Sequence, residues 1–145
     1  MFTPSREQAR RLFFETWRKY RAGETLAGLE QMVLEVVLLH PEYHPLLDTP
    51  EKHLDRDYSP ESGELNPFLH LSLHLAIAEQ LSIDQPAGLR QRYSLLAARH
   101  GEHDALHLVL ECLGETVWEA QRNGAVPDQA RYLECLDRRI GTRNP

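Results

Sequence analysis

Apolar side chains recur at a helical spacing along almost the whole 145-residue chain, and the strict alternation of half-buried strands is scarce. Glycine and proline signals divide this pattern into five or six segments joined by mostly short links. The main breaks are at Gly23, Pro41, Gly88, Gly101 and Gly124. Short links favour helices packed as a bundle. The sequence therefore predicts an all-α fold, with residues 1–145 forming a single helical domain.

Several helix boundaries are marked by capping residues. Ser5 is followed three residues later by Gln8, which is a capping-box pattern at the first helix. Asn66 precedes Pro67, a favoured pair for the N-cap and the first position of a helix. The second helix is expected over about 25–40 and ends before a proline. The other predicted helices cover about 89–100 and 102–123, and a short last helix opens at Asp128.

Residues 41–66 form a long irregular segment in this prediction. The segment contains four prolines, is rich in acidic residues and has little periodicity. A connection of this length within a compact domain is usually functional or disordered. We interpret it as a candidate lid over a site, with Tyr43, Asp55, Asp57 and Tyr58 as its notable side chains.

Charge and composition exclude some classes of function. The net charge of −6 disfavours nucleic acid as a partner, and it also disfavours an anionic membrane surface. The N-terminus carries charge where a signal peptide needs apolar residues, and the longest apolar runs fall well short of the ~20 residues of a membrane span. Cys112 and Cys135 make no disulfide framework and are expected to be small buried hydrophobes. The sequence thus predicts a reduced, cytoplasmic protein. A protein partner or a second copy of the chain remains open, and the substrate, if any, is unknown.

The eight histidines are the residues that point to chemistry. Chance predicts about 0.4 histidine pairs at a spacing of four residues, whereas His70/His74 and His103/His107 form two such pairs within predicted helices. His40 and His44 are also four residues apart, but Pro41 lies between them, so they do not share one helix face and this pair is discounted. On a helical projection, His40 and His74 fall within apolar stripes, where an unpaired imidazole would cost ~1–3 kcal/mol.

A shared metal ion would satisfy these imidazoles together. The Cβ atoms of residues four apart on a helix lie roughly 5–6 Å from each other, so both side chains can ligate one ion. Imidazoles with one carboxylate suit zinc, iron, nickel or copper. No nucleotide or organic cofactor is indicated. The predicted ligand pool is His40, His70, His74, His103, His107 and Glu111.

Two functional interpretations follow. In the first, the chain is a metal-binding helical protein and, if the ion keeps an open position, an enzyme that activates water. In the second, the chain is a non-catalytic protein-interaction module whose histidines form a buried hydrogen-bonded network. A pH- or metal-responsive sensor would use the same residues. Because no complete catalytic signature occurs, enzyme status stays open.

Three phrases of the sequence resemble a known family. They are HPEYHPLL over 40–47, NPFLHLSLHLAIAEQ over 66–80 and HDALHLVLECLGETVWEAQRNG over 103–124. Together they resemble the bacterial family catalogued as domain of unknown function 1841, and the similarity covers almost the whole chain. The resemblance implies a bacterial origin and implies no activity.

Overall fold

The computed structural model describes residues 6–53 and 66–141 of the chain. These residues contain helices and no strand, so the predicted all-α class is confirmed. The described part holds eight α-helices, and the expected number of five or six is therefore wrong. The helices are α1 (Arg6–Arg21), α2 (Leu29–Leu38), α3 (His44–Leu47), α4 (Pro50–His53), α5 (Pro67–Ile83), α6 (Leu89–His100), α7 (Glu102–Arg122) and α8 (Gln129–Gly141).

The two additional helices lie in the segment predicted to be irregular. A 3-10 turn at Pro41–Tyr43 leads into α3, and α4 follows after two residues. Prolines stand in the first turn of each short helix, where a missing N–H costs no helical hydrogen bond. These prolines therefore mark helix starts as well as helix ends. Residues 54–65 lie outside the described residues, and so do Asp55, Asp57 and Tyr58 of the candidate lid.

The predicted caps open α5 and α8. The Asn66 side-chain oxygen accepts the N–H groups of Phe68 at 3.0 Å and Leu69 at 3.1 Å, which starts α5 at the predicted residue. Asp128 accepts the N–H of Ala130 at 2.9 Å in the same way at the start of α8. The capping box proposed for the first helix begins at Ser5, outside the described residues.

The second helix is shorter than the range 25–40 expected from the pattern. It begins at Leu29 because Gly28 has a φ of 55°, in the left-handed region that an α-helix does not use. It ends at Leu38, and His40 has a φ of −127°. His40 therefore follows the helix and is not part of its last turn.

The chain divides into two compact units, residues 1–75 and 76–145. The first unit contains α1 to α4 and the N-terminal part of α5, and the second contains the rest of α5 with α6, α7 and α8. The prediction of a single domain over 1–145 stays a prediction. The first core is built from Phe13, Phe14, Trp17, Val33, Val36, Val37, Leu47, Phe68, Leu71 and Leu75. The second unit buries Leu89, Leu96, Val109, Leu113 and Leu136.

Loss of the α5 cap has a measurable cost. Replacing Asn66 with alanine should lower the free energy of unfolding by about 1 kcal/mol, because two N–H groups at the helix start lose their acceptor. Urea denaturation followed by circular dichroism measures this change. Asn123→Ala is the matched control, since Asn123 is exposed at the end of α7. Equal losses in the two variants would contradict the assigned role of Asn66.

Candidate metal centre

His40 is the most firmly positioned of the predicted ligands. Its side chain is only 2% exposed, and its Nδ1 lies 2.8 Å from the backbone oxygen of Val36. Because a carbonyl oxygen only accepts hydrogen bonds, Nδ1 must carry the proton and donate it. In the neutral imidazole the other nitrogen, Nε2, then has an available lone pair.

Two further imidazoles face His40 from α5. His70 and His74 are one turn apart on that helix, and His74 is 3% exposed while His70 is half-buried. The ring centre of His40 lies 4.9 Å from that of His70 and 4.5 Å from that of His74. The rings of His70 and His74 are 4.8 Å apart. One nitrogen from each ring lies within 4.8 Å of the others. The structure thus brings three predicted ligands together within the first unit.

The spacing of the nitrogens fits a metal site. Nε2 of His40 lies 3.1 Å from Nε2 of His70. With metal–nitrogen bonds of about 2.0–2.1 Å, adjacent ligand nitrogens lie about 3.3–3.4 Å apart around a tetrahedral ion and about 2.9 Å apart around an octahedral one. The observed distance falls between these values. It also fits one direct N–H···N hydrogen bond, which is the geometry of the alternative buried network.

The partner of His40 Nδ1 favours the metal interpretation. A histidine that ligates a metal usually donates its other ring N–H to a carboxylate or a backbone carbonyl. The bond from His40 to Val36 has this arrangement and directs Nε2 of His40 toward the other two rings. The turn after α2 therefore fixes both the tautomer and the orientation of this side chain.

Two further residues of the first unit, Tyr43 and His44, lie next to this region of the chain. The ring of Tyr43 stacks beside His40 at 5.7 Å, and burial, with a smaller effect from Glu42, raises the pKa of the Tyr43 hydroxyl. Tyr43 therefore stays neutral and protonated at neutral pH. His44 has a separate role, because its Nε2 bonds to the Val37 oxygen at 2.8 Å and its ring lies 4.4 Å from Trp17.

The remaining members of the predicted pool lie on α7, in the second unit. His103 is exposed, whereas a helical projection of the sequence predicts it just inside the flank of the apolar face of its helix. His107 is half-buried, and its Nδ1 donates to the His103 oxygen at 3.0 Å. Glu111 is exposed and forms an ion pair with Arg139 at 3.0 Å. Metal ligation by these three residues stays a prediction.

The position of His103 follows from a shift in the buried face of α7. On a helical projection of the sequence, Leu106, Leu110, Leu113 and Val117 are the predicted buried face. The structure buries Ala105, Val109, Cys112, Leu113, Thr116 and Ala120. Most of these side chains are small and allow neighbouring helices to approach closely, so the longer leucines at 106 and 110 stand half-buried at the flanks.

The cysteines require a correction. Cys112 on α7 and Cys135 on α8 form a disulfide, with a Cα–Cα distance of 5.7 Å. Both are buried, as expected, but they are not the separate thiols that the sequence suggested. Sequence spacing carried no signal for this pairing, since it depends on how α7 and α8 pack.

None of the helices in residues 6–53 and 66–141 combines the length and the apolar character needed to cross a membrane. Comparison with curated proteins returned no match, and comparison with solved structures returned none. The family model described as Domain of unknown function (DUF1841) matches residues 5–138. That match spans nearly all of the chain, which therefore belongs to this family.

Proposed function

We propose that this protein binds a transition-metal ion through His40, His70 and His74. The observation that carries the proposal is the 3.1 Å approach of the His40 and His70 Nε2 atoms while His40 Nδ1 donates to Val36. This arrangement brings ring nitrogens from the turn after α2 and from two successive turns of α5 within 4.8 Å of one another. It is the arrangement expected of a ligand set.

A shared ion suits this cluster better than hydrogen bonds alone. An N–H···N bond joins only two rings, whereas one divalent ion takes a lone pair from each of three neutral imidazoles. His40 and His74 are almost fully buried. An unsatisfied ring nitrogen costs most free energy at such positions, so ligation of a metal ion is most favourable there. The buried hydrogen-bonded network remains the competing arrangement that the experiment below distinguishes.

The ligand chemistry limits the metal and suggests a role. Imidazole ligands suit zinc, iron, nickel or copper, and magnesium and calcium prefer oxygen. Three protein ligands leave a position for water, and zinc held in this way lowers the pKa of bound water to about 7. We therefore propose metal-assisted hydrolysis as the reaction class, if the protein is an enzyme. His103, His107 and Glu111 stay in the proposed ligand pool.

Metal analysis of untagged protein tests the proposal. After incubation with zinc, iron or nickel and dialysis, plasma mass spectrometry should find near-stoichiometric metal in the wild-type protein. His74→Ala should lose nearly all of it, because a deeply buried ligand is removed. His100→Ala is the matched control, since His100 is exposed at the end of α6 and should leave metal content unchanged.

Two results would overturn the proposal. One is a folded wild-type protein that takes up no metal after reconstitution, which would favour the interaction module with a buried histidine network. The other is full metal occupancy in a folded His74→Ala protein. If circular dichroism shows that His74→Ala does not fold, the half-buried His70→Ala variant provides the same test with a smaller packing change.

A further inference from the structure

A concave groove lies within the first unit, lined by residues of α1, α3 and α4 and by Ala22 and Asp48. It encloses about 770 Å³, which is within the range of ~300–1,000 Å³ typical of small-molecule pockets. Four residues provide apolar surface, namely Phe14, Trp17, Leu47 and Pro50. The first three are almost fully buried, so they form the floor of a groove and not a scattered surface patch. A ligand here would contact a rigid apolar wall.

The acidic groups of the groove are already engaged. Glu15 is held by two bonds from Arg18, at 2.6 and 3.1 Å, and Arg18 also bonds to Glu24 at 3.0 Å. Asp48 accepts the indole N–H of Trp17 at 2.7 Å. These contacts hold the carboxylates and Arg18 in internal interactions.

Three arginines line the groove, and Arg11 and Arg18 take part in other interactions, so Arg21 is the lining cation that remains available. Its guanidinium lies over the Trp17 ring, 5.8 Å from the ring centre, and among the described residues it forms no ion pair. A guanidinium presents several donors in a plane and pairs well with carboxylate or phosphate groups. Arg21 therefore places an uncompensated positive charge at the edge of the buried apolar floor.

We propose that this groove binds a small amphipathic organic anion. The apolar body of the ligand would lie against Phe14, Trp17 and Leu47, and its carboxylate would pair with Arg21. The match is one of charge and of shape, because the available charge in the groove is the positive charge of Arg21 and the buried floor of the groove is apolar. This inference does not depend on metal binding.

The experiment compares three amphiphiles that have the same chain and different head groups. Decanoate, decanol and decyltrimethylammonium are titrated below their critical micelle concentrations, with Trp17 fluorescence as the readout. Trp118→Phe serves as the background protein, because it removes the other tryptophan, which is exposed in the second unit. Decanoate should change the emission of Trp17 in a saturable way and should bind more tightly than the other two.

Two variants assign the site. Arg21→Gln should weaken decanoate binding about fivefold, as expected for a solvent-exposed ion pair, and should leave decanol unchanged. Arg138→Gln is the matched control, because Arg138 is an exposed arginine on α8. Ala22→Phe should abolish binding of all three amphiphiles, since Ala22 lines the groove and is exposed there.

The proposal fails on any of three results. Absence of saturable decanoate binding removes the site. Equal affinities for the three amphiphiles remove the charge recognition, and an unchanged affinity in Arg21→Gln removes the residue assigned to it.

Discussion

Replacing Cys112 and Cys135 together with alanine should lower the free energy of unfolding of the second unit by about 3 kcal/mol. The disulfide joins residues that are 23 apart in the chain, so it restricts a loop of moderate length in the unfolded state. The bridge also ties α8 to α7, with the sulfur atoms buried.

Reductant separates the effect of the bridge from that of the lost sulfur atoms. Dithiothreitol should lower the urea midpoint of the wild-type protein toward that of the double alanine variant, and it should leave the variant unchanged. Circular dichroism provides the readout. An identical midpoint for the wild-type protein with and without reductant would contradict the prediction. So would two reactive thiols in wild-type protein that is unfolded without reductant.

The bridge also bears on where the protein resides. Disulfides persist mainly in oxidising compartments and are rare in the cytosol of mesophiles. Because a disulfide would be unusual in the cytosol, the cytoplasmic location expected from the sequence stays a proposal. The thiol content of protein extracted with an alkylating agent present would show which redox state the cell maintains.

Much of the helical architecture could be predicted from local signals. The α6 bounds match the expected 89–100, and Asn66 and Asp128 cap the helices that they were expected to open. These successes rest on interactions within a few residues. The start of α2 was misplaced because the pattern of apolar residues continues through Gly28, although the backbone there does not remain helical.

The features that the local sequence pattern did not predict depend on how the helices pack. The buried face of α7 consists mostly of small side chains, which allow neighbouring helices to approach closely. The prediction from helical periodicity placed the large leucines on that face instead. The same packing forms the Cys112–Cys135 bridge. An exposed His103 and a disulfide are therefore two consequences of one packing arrangement that the sequence pattern did not reveal.

The sequence predicted which histidines of the candidate site are buried and which two lie side by side. His40 and His74 stood within apolar stripes, and the structure buries both. The i, i+4 spacing placed His70 beside His74, and the structure gives a ring separation of 4.8 Å. The role of Val36 as acceptor for His40 was not predictable, because it depends on the turn that follows α2.

Metal binding should also stabilise the first unit strongly and in a pH-dependent way. A ligand that binds only the folded state adds about 4 kcal/mol at a free concentration of 1,000 times its dissociation constant. Zinc at such an excess should therefore raise the melting temperature, and a chelator should reverse the rise. Protons compete with the metal for the imidazole lone pairs, so the stabilisation is present at higher pH and is lost as the pH falls.

Differential scanning calorimetry with and without zinc, at about pH 7.5 and about pH 5.5, measures this linkage across the range in which imidazole ordinarily titrates. The zinc-induced rise should be large at the higher pH and small at the lower one. His74→Ala should show little rise at either pH, because only two of the three ligands, His40 and His70, remain in this variant. His100→Ala should behave as the wild type, which excludes general zinc binding by exposed histidines. A rise of equal size in wild type and His74→Ala would place the zinc elsewhere, and a rise that grows on acidification would contradict imidazole ligation.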